Sequence, residues 1–352
     1  MKTSLIHIFI FLIFCSCSDI IEKNTPENIF EVFWRTLDEN YVYFEEKGID
    51  WDSIYKVYSV QAKNAVNDDD LIKIFSEIIP LFKDKHLNIS KNRKLIRYIN
   101  CEQDTTGTTS YGADYGVDYE YAFKNRYFKD NPLRYSEDSI KHIAYVAIST
   151  FDYSHFVNYD FIDPNLDKAL NSLNCSNGLI IDLRNNCGGK YPTVTSFVSA
   201  FFTGKKVLSY HQNKTGKGHN DFSNKIPTTT QGKGYVADSV PIVILTSTYT
   251  YSAANLAVYM LKDLRPCTII GEATSGGGGG GGRKDVILPN GWDLSFPCHK
   301  TFSPSGKNME YRFEPDIYVK HYARLDDDKG HMIRKDTVLI KAIEFLDNLQ
   351  TQ

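Results

Sequence analysis

Hydrophobic residues in the first hundred positions recur with the spacing of amphipathic helices. They repeat every three or four positions in three stretches, at 29–37, 54–60 and 71–81, and this periodicity places them on one helix face. Three aspartates at 68–70 precede the last stretch, where the positive end of a helix dipole favours negative charge. The pattern predicts an N-terminal helical domain or cap over residues 18–95.

The pattern changes at residue 143, where short apolar runs begin to alternate with helical stretches. The runs have the length and composition of buried strands and lie at 143–148, 178–183, 240–245 and 267–270. Helices are predicted at 166–173, 193–202, 253–264 and 337–349, and a hairpin at 286–295. Strands that alternate with helices favour parallel pairing. We therefore expect an α/β domain over residues 143–352.

The segment 96–142 separates the two predicted domains. Its first part, 100–118, is rich in Thr, Gly, Ser and Asp and poor in apolar residues, a composition typical of loops. We expect a linker or a reduced insert over 96–142.

The glycine run at 276–282 predicts either a mobile loop that borders a functional site or a slack surface linker.

The N-terminus combines a basic start with a short apolar run. Lys2 is followed by apolar residues at 5–14 and then by small and polar residues, the order found in export signals. The run is shorter than the about 20 residues of a membrane-spanning helix. Cys17, which follows Ser16, resembles the lipobox cysteine of bacterial lipoproteins. The resemblance implies a lipoprotein signal peptide over 1–17, although an ordinary signal peptide with a chance cysteine remains the alternative.

An acylated Cys17 would tether the protein to a membrane without a spanning helix. The predicted location is the bacterial cell envelope, on the outer membrane, with the protein either facing the periplasm or exposed on the surface.

The formal net charge is -3, and no basic stripe is present to bind nucleic acid. The five cysteines beyond the signal have no CxxC spacing, which argues against a zinc site.

Ser252 stands between the third predicted strand and the following helix, in the sequence TYSAAN. A hydroxyl at this junction lies at the mouth of an α/β sheet, where ligands bind. The N–H groups at such a helix start can stabilise an oxyanion. Serine is also a common helix N-cap, and the local sequence favours neither role over the other.

Paired glycines at 188 and 189 follow the second predicted strand. Glycine adopts positive φ without strain and leaves backbone N–H groups exposed, so the pair could form an oxyanion-binding turn. A structural βα loop accounts for the same residues.

Four motifs occur in a fixed order along the α/β domain: DLRNNCGG at 182–189, TYSAAN at 250–255, GEATSGGG at 271–278 and FEPDI at 313–317. Together they closely resemble the C-terminal processing (tail-specific) and tricorn-core serine peptidases. The resemblance covers about 143–319 and implies a Clp protease/crotonase-like spiral αβ core. It also implies that Ser252 is the nucleophile, with the N–H groups of Gly188 and Ala253 as the oxyanion hole.

The general base differs between the two branches of this family. The processing peptidases use a lysine in a G-x-G-K-G turn, which is missing here, and the nearest candidate, Lys284, lies beyond the glycine run. The tricorn-like branch uses a histidine in an L-x-D-x-H motif, which LFKDKH at 81–86 resembles. The resemblance implies that His86 is the base, and the pKa of histidine suits proton transfer near neutral pH. A dyad of Ser252 with Lys284 is the mechanistic alternative.

The resemblance further implies a glutamate that orients the histidine, near the P-D-I element. Glu310 is close to that position, but its spacing to Pro315 is one residue short, and Phe313 stands where a glycine is usual. Glu314 is the fallback for this role. Either glutamate would fix the tautomer of His86.

Many members of the resembled family insert a peptide-binding PDZ domain between the histidine and the α/β core. Only 56 residues separate His86 from Ile143, without a G-L-G-F-like carboxylate-binding loop, so no clear PDZ domain is predicted. The predicted function is a serine endopeptidase that acts on peptides or proteins by acyl transfer without metal or cofactor. The alternatives are a catalytically inactive peptide- or ligand-binding protein on the same fold and a crotonase-like thioester enzyme, against which the export signal argues.

Overall fold

A computed structural model describes residues 24–91, 94–96, 133–138, 141–152, 170–171, 177–279, 282–320, 323–326 and 332–350. The predictions for Cys17, for most of segment 96–142 and for most of helix 166–173 lie outside these ranges. Within them, no helix has both the length and the apolar character needed to cross a membrane.

The helices lie at the two ends of the chain and between the strands of its second half. They are α1 (Pro26–Asn40), α2 (Phe44–Lys47), α3 (Trp51–Asn64), α4 (Asp68–Ile78), α5 (Tyr191–Ser199), α6 (Ala253–Leu264) and α7 (Thr337–Gln350). A 3-10 turn, Ile79–Phe82, follows α4. Asn67 caps α4 by accepting from the Asp70 N–H, so the acidic first turn predicted from the sequence begins this helix.

The first seven strands are β1 (Asn88–Lys91), β2 (Lys94–Ile96), β3 (Leu133–Asp138), β4 (Ile143–Ile148), β5 (Gly178–Asp182), β6 (Thr203–Asn213) and β7 (Ile226–Lys233). The remaining strands are β8 (Ile242–Thr246), β9 (Thr268–Gly271), β10 (Arg283–Ile287), β11 (Asp293–Pro297), β12 (His299–Phe302), β13 (Ile317–Tyr318), β14 (Ala323–Asp326) and β15 (Met332–Lys335). The predicted hairpin is formed by β10 and β11.

The central sheet has six strands in the order β13-β9-β8-β5-β4-β3. All neighbours pair in parallel except β3, which is antiparallel to β4. The four strands predicted from apolar runs are therefore the four inner strands of one sheet. The predicted α/β core is confirmed.

Both faces of the four inner strands are buried, which explains why these strands are continuous apolar runs. Val146 and Ile181 point to one face and share a hydrophobic core with α5 and α6. Tyr145 and Ile180 point to the opposite face and pack against α7. The carboxyl ends of β5 and β8 meet at one edge of the sheet, where the DLRNNCGG and TYSAAN motifs begin.

The N-terminal helices share their hydrophobic core with a hairpin from the other half of the chain. Aromatic residues of α1 and α4, such as Phe33 and Phe75, cluster with Trp292 and Phe296 of the β10–β11 hairpin. Strand β1 then pairs antiparallel with β11. Because β1 follows the L-x-D-x-H segment directly, this pairing carries His86 to the α/β core.

A long antiparallel hairpin, β6 with β7, was not predicted from the sequence. Most of its residues are polar, and its buried residues, Leu208 and Ser209, are consecutive, so the two strands lack the apolar alternation that indicates a strand. Beyond β6 the chain reaches the helical cap, where His219 Nε2 lies 2.8 Å from Asp38 Oδ1 and the His219 ring stacks on Phe44. The hairpin is thus a second connection between the cap and the core.

Candidate active site

Ser252 lies in a strained turn immediately before α6. Its φ and ψ angles are 57° and -121°, a region that residues other than glycine rarely adopt. The Ser252 N–H donates to the Gly276 carbonyl at 2.9 Å, and the Ser252 carbonyl accepts from Leu256 N–H at 3.0 Å. Ser252 is the N-cap residue of α6, but its side chain makes no capping hydrogen bond. The Ser252 hydroxyl therefore points elsewhere.

The hydroxyl of Ser252 faces His86. Ser252 Oγ lies 3.1 Å from His86 Nε2, within hydrogen-bond distance. His86 is held by a turn in which the Asp84 carboxylate accepts from the His86 backbone N–H at 2.8 Å. Lys83, with φ of 48°, ends the 3-10 turn just before it. The L-x-D-x-H segment thus encodes a compact turn that positions the imidazole.

The other ring nitrogen of His86 contacts a tyrosine. Tyr251 Oη lies 2.9 Å from His86 Nδ1, and Asp84 Oδ1 lies 3.8 Å from the same nitrogen. Burial lowers the pKa of His86 to about 4, although the nearby Asp84 charge acts in the opposite direction. His86 is therefore neutral at physiological pH, and its Nε2 can accept a proton.

Glu310 lies in a different ion pair from the one expected. It is buried, its Oε1 lies 2.7 Å from Lys47 Nζ, and its Oε2 accepts from Gly279 N–H at 3.3 Å. Burial and the Asp84 charge raise its pKa to about 7, while Lys47 opposes this rise. No hydrogen bond or ion pair joins Glu310 to His86 in the described part of the chain. The expected direct contact is replaced by the contact with Lys47.

The two alternative residues lie at the surface with other partners. Lys284 Nζ donates to Asn40 Oδ1 at 2.8 Å. Glu314 pairs with Arg312 at 2.6 Å, and both side chains are more than half exposed. Neither residue is among the hydrogen-bond or ion-pair partners of Ser252 or His86 within the described ranges.

The glycine turn after β5 lies against the nucleophile. A Cβ atom on Gly188 would lie 2.7 Å from Ser252 Cβ and 3.1 Å from the Ala253 nitrogen, so only glycine fits there. The Gly188 N–H itself donates to Asn186 Oδ1 at 2.8 Å. Among the described residues, no partner accepts from the N–H groups of Gly189 and Ala253. These two donors are available to an oxyanion.

A cavity of about 290 Å³ opens beside the nucleophile. Its walls include Ser252, Ala253 and Gly189, together with the apolar side chains of Pro192 and Leu256. The nucleophile, the two available N–H groups and an apolar wall therefore face the same space. This arrangement can hold an acyl group with its carbonyl oxygen against the backbone donors.

The described part of the glycine run, 276–279, packs closely against the site. A Cβ on Gly277 would lie 2.1 Å from the Tyr251 ring, and one on Gly279 would lie 1.5 Å from the Tyr43 hydroxyl. The Gly277 N–H donates to the Glu310 carbonyl at 3.0 Å. These glycines border the site as expected, but they are required by close packing, in contrast to the slack linker that the sequence left open.

A buried ion network supports the turn that carries Gly188. Arg184 Nη2 lies 2.5 Å from Asp182 Oδ2, and Arg184 also forms a bidentate pair with Asp336 at 2.7 and 2.9 Å. The Tyr145 hydroxyl donates to Asp182 at 2.6 Å. Although burial raises the pKa of Asp182, Arg184 holds it below the ordinary value. The DLR portion of the motif is therefore structural.

Side-chain and backbone bonds join the glycine turn to the nucleophile turn. The Tyr251 N–H donates to the Asn186 carbonyl at 3.1 Å, and the Thr250 hydroxyl donates to the Leu183 carbonyl at 2.9 Å. The Ser247 hydroxyl donates to the Arg184 carbonyl at 2.5 Å. Together these bonds fix the distance between Ser252 and the oxyanion donors.

Four further residues contribute to this site without having been predicted from the sequence: Asp84, Tyr251, Asn186 and Lys47. Asp84 stood inside the L-x-D-x-H motif, and Tyr251 and Asn186 stood inside two of the other motifs. Their contacts could have been suspected from those positions. Lys47, on helix α2, had no sequence signal of any kind.

Two family models match the chain. The model of peptidase family S41 matches residues 142–319, the region that contains the nucleophile turn and the glycine turn. The chain belongs to peptidase family S41. The model of the tricorn protease C1 domain matches residues 22–79, a range that contains the cap helices α1 to α4. The resemblance inferred from the motifs is therefore confirmed.

The chain resembles a curated relative over about half of its own length. It is 27% identical over 181 residues to the carboxy-terminal processing protease CtpB of Bacillus subtilis (strain 168), a match that covers 51% of this chain and 34% of that protein. The chain thus spans about a third of the length of this relative.

Solved structures match a larger share of the chain. A protein from Parabacteroides merdae ATCC 43184, described as a peptidase, has a TM-score of 0.76 at 28% identity, covering 92% of this chain and 97% of that one. Mature CPAF complexed with lactacystin has a TM-score of 0.63 at 13% identity, covering 94% and 98%, which is a likeness of fold alone. The spiral αβ core with an N-terminal helical cap is confirmed.

Proposed function

We propose that this chain is a serine peptidase that hydrolyses peptide bonds by acyl transfer, with Ser252 as the nucleophile. The observation that carries the proposal is the 3.1 Å contact between Ser252 Oγ and His86 Nε2. A serine in a strained turn beside a neutral, largely buried histidine has the geometry of an activated nucleophile. Membership of peptidase family S41 supports the same chemistry.

In the first step, Ser252 Oγ attacks the peptide carbonyl while His86 Nε2 takes the hydroxyl proton. The N–H groups of Ala253 and Gly189 stabilise the oxyanion, and each such donor contributes about 3–4 kcal/mol in comparable sites. His86 then gives its proton to the leaving amine, which departs from the acyl-enzyme. Water, deprotonated by His86, releases the acyl group in the second half of the reaction. Gly188, the expected donor, instead leaves room for the nucleophile because it has no Cβ.

The substrate is proposed to be a peptide or protein. Carboxy-terminal processing is named for the CtpB relative, and we carry it over as the proposed type of cleavage. We also propose that the protein is lipid-anchored through Cys17 in the bacterial cell envelope. The support for this location is the sequence of the first 17 residues.

A catalytically inactive binding protein on the same fold is the second candidate. The observation that favours it is Glu310, which pairs with Lys47, while in the described part of the chain no carboxylate is hydrogen-bonded to the imidazole ring of His86. Quenched fluorescent peptide libraries separate the two candidates. A peptidase releases fluorescence, with new amino termini detectable by mass spectrometry, whereas a binder retains intact peptides on an affinity column.

We expect the activity to persist at unusually low pH. Because burial lowers the pKa of His86 to about 4, the base stays neutral, and so remains able to accept a proton, well below the ordinary histidine pKa of about 6.5. The acid limb of kcat/KM should therefore lie roughly two pH units below 6.5, since this limb reports the base in the free enzyme. Initial rates from pH 3.5 to 8, with circular dichroism to verify folding at each pH, measure it.

An acid limb at pH 6.5, with the protein folded throughout, would contradict a buried, neutral His86. The variant His211→Gln serves as a control, because His211 lies on β6 and contacts His299 but has no contact with Ser252. Its pH profile should match that of the wild type.

A further inference from the structure

Two consecutive residues contact the two nitrogens of one imidazole ring. Ser252 Oγ lies 3.1 Å from His86 Nε2, and Tyr251 Oη lies 2.9 Å from His86 Nδ1. The nearest carboxylate oxygen, on Asp84, is 3.8 Å from Nδ1, beyond hydrogen-bond distance. We propose that Tyr251 is a positioning residue whose hydroxyl oxygen accepts a hydrogen bond from His86 Nδ1–H, so that the unprotonated Nε2 faces Ser252. This inference rests on the proposed function, in which His86 is the base.

The Tyr251 hydroxyl is held in place and remains neutral. Burial raises the pKa of Tyr251 well above its ordinary value, and the Asp84 charge adds to that rise. The Tyr251 and His86 rings are stacked, with centroids 4.9 Å apart and an interplanar angle of 26°. Lys85 Nζ lies over the Tyr251 ring, 4.9 Å from its centroid. Gly277 makes room for this ring, because a Cβ there would lie 2.1 Å from it.

The neighbouring carboxylate selects the tautomer that the reaction needs. A hydroxyl can either donate to an imidazole nitrogen or accept from it, so Tyr251 alone does not decide which nitrogen carries the proton. Asp84 lies on the Nδ1 side and is fixed by the Tyr41 hydroxyl at 2.8 Å and by the His86 backbone N–H at 2.8 Å. Its negative charge favours the proton on the nearer nitrogen. Nε2 is then left unprotonated and can accept from Ser252.

The two residues also share one strained turn. Because Tyr251 and Ser252 are adjacent, any movement of the nucleophile is accompanied by movement of the group that holds the histidine. The Tyr251 N–H is bonded to the Asn186 carbonyl and the Ser252 N–H to the Gly276 carbonyl. The turn therefore sets the position of the nucleophile and the orientation of its base together.

The variant Tyr251→Phe tests this role, because it removes the hydroxyl and keeps the stacked ring. We expect kcat to fall by about 10- to 100-fold, the effect of losing one aligned hydrogen bond to the base, with KM unchanged. The acid limb should move to lower pH, because the imidazolium loses the acceptor of its Nδ1 proton. Tyr259→Phe is the matched control. Tyr259 lies on α6, and its hydroxyl donates to the Arg312 carbonyl at 3.3 Å and not to His86.

Nitrogen-15 NMR of protein labelled on histidine reports the tautomer without any need for turnover. The His86 signals are assigned among the nine histidines by their loss in His86→Gln. We expect the Nδ1-protonated tautomer in the wild type and a mixture of tautomers in Tyr251→Phe. Absence of hydrolysis by the wild type would contradict the proposed function but would leave this tautomer test intact.

The inference is overturned if the wild type holds His86 mainly in the Nε2-protonated form, a result that needs no variant. It is also overturned if Tyr251→Phe matches the wild type in kcat, in the acid limb and in tautomer. A kcat loss of the same size in Tyr259→Phe would assign the effect to helix packing and would equally contradict it.

Discussion

Replacing Ser252 by alanine should reduce peptide hydrolysis by a factor on the order of 10⁴ to 10⁶, the loss seen when the nucleophile of a serine triad is removed. The hydroxyl contacts His86 at 3.1 Å and makes no capping bond to α6. Its loss therefore removes the attacking atom and leaves the helix start unchanged. The measurement is the rate of cleavage of a quenched fluorescent peptide, with thermal unfolding followed in parallel.

The folded state of Ser252→Ala should be about as stable as the wild type, because alanine meets the same strain at φ of 57°. Ser275→Ala is the matched control. Ser275 lies in the neighbouring loop, and its hydroxyl donates to the Thr248 carbonyl. This control should cleave the peptide at close to the wild-type rate. Hydrolysis by Ser252→Ala within tenfold of the wild type would exclude Ser252 as the nucleophile.

Replacing Arg184 by methionine should lower the free energy of unfolding by about 3–5 kcal/mol, the usual result of removing one partner from a buried ion pair. Arg184 is 2% exposed and binds both Asp182 and Asp336. Without it, the two carboxylates lose the guanidinium that pairs with both of them. Urea denaturation followed by circular dichroism measures the change.

An exposed arginine provides the comparison. Arg312 pairs with Glu314 while both side chains are more than half exposed, so Arg312→Met should cost less than about 1 kcal/mol. Arg184→Lys keeps the charge but loses the planar fork that binds two carboxylates, and its loss of stability should fall between these values. Equal stability of Arg184→Met and the wild type would mean that the network does not support the glycine turn.

The inner sheet could be predicted from the sequence because parallel strands buried on both faces appear as continuous apolar runs. The same logic fails for the β6–β7 hairpin. Most of its residues are exposed or partly exposed, and the only buried positions in it, Leu208 and Ser209, are adjacent, so the hairpin has no alternating apolar pattern that separates it from a loop. The hairpin is recognised in the structure from the pairing of β6 with β12 and from the contact of His219 with the helical cap.

The pairing of His86 with Ser252 could be predicted only from the ordered motifs, since 166 positions separate the two residues. The partner of Glu310 could not be predicted. Lys47 lies on a four-residue helix in the cap, and its approach to Glu310 depends on how the cap packs on the β10–β11 hairpin. The Tyr251 contact likewise depends on the strained turn, because only that backbone places consecutive side chains on opposite nitrogens of the imidazole.

A fluorophosphonate probe reacts with activated serine nucleophiles and therefore reports whether His86 activates Ser252. The intact protein is treated with the probe at pH 7, and the modified residue is located by tandem mass spectrometry. If His86 activates Ser252, one adduct forms, on Ser252, and it forms at least about 100-fold more slowly in His86→Ala. Absence of an adduct from the folded wild type, or equal labelling of the two proteins, would contradict this activation.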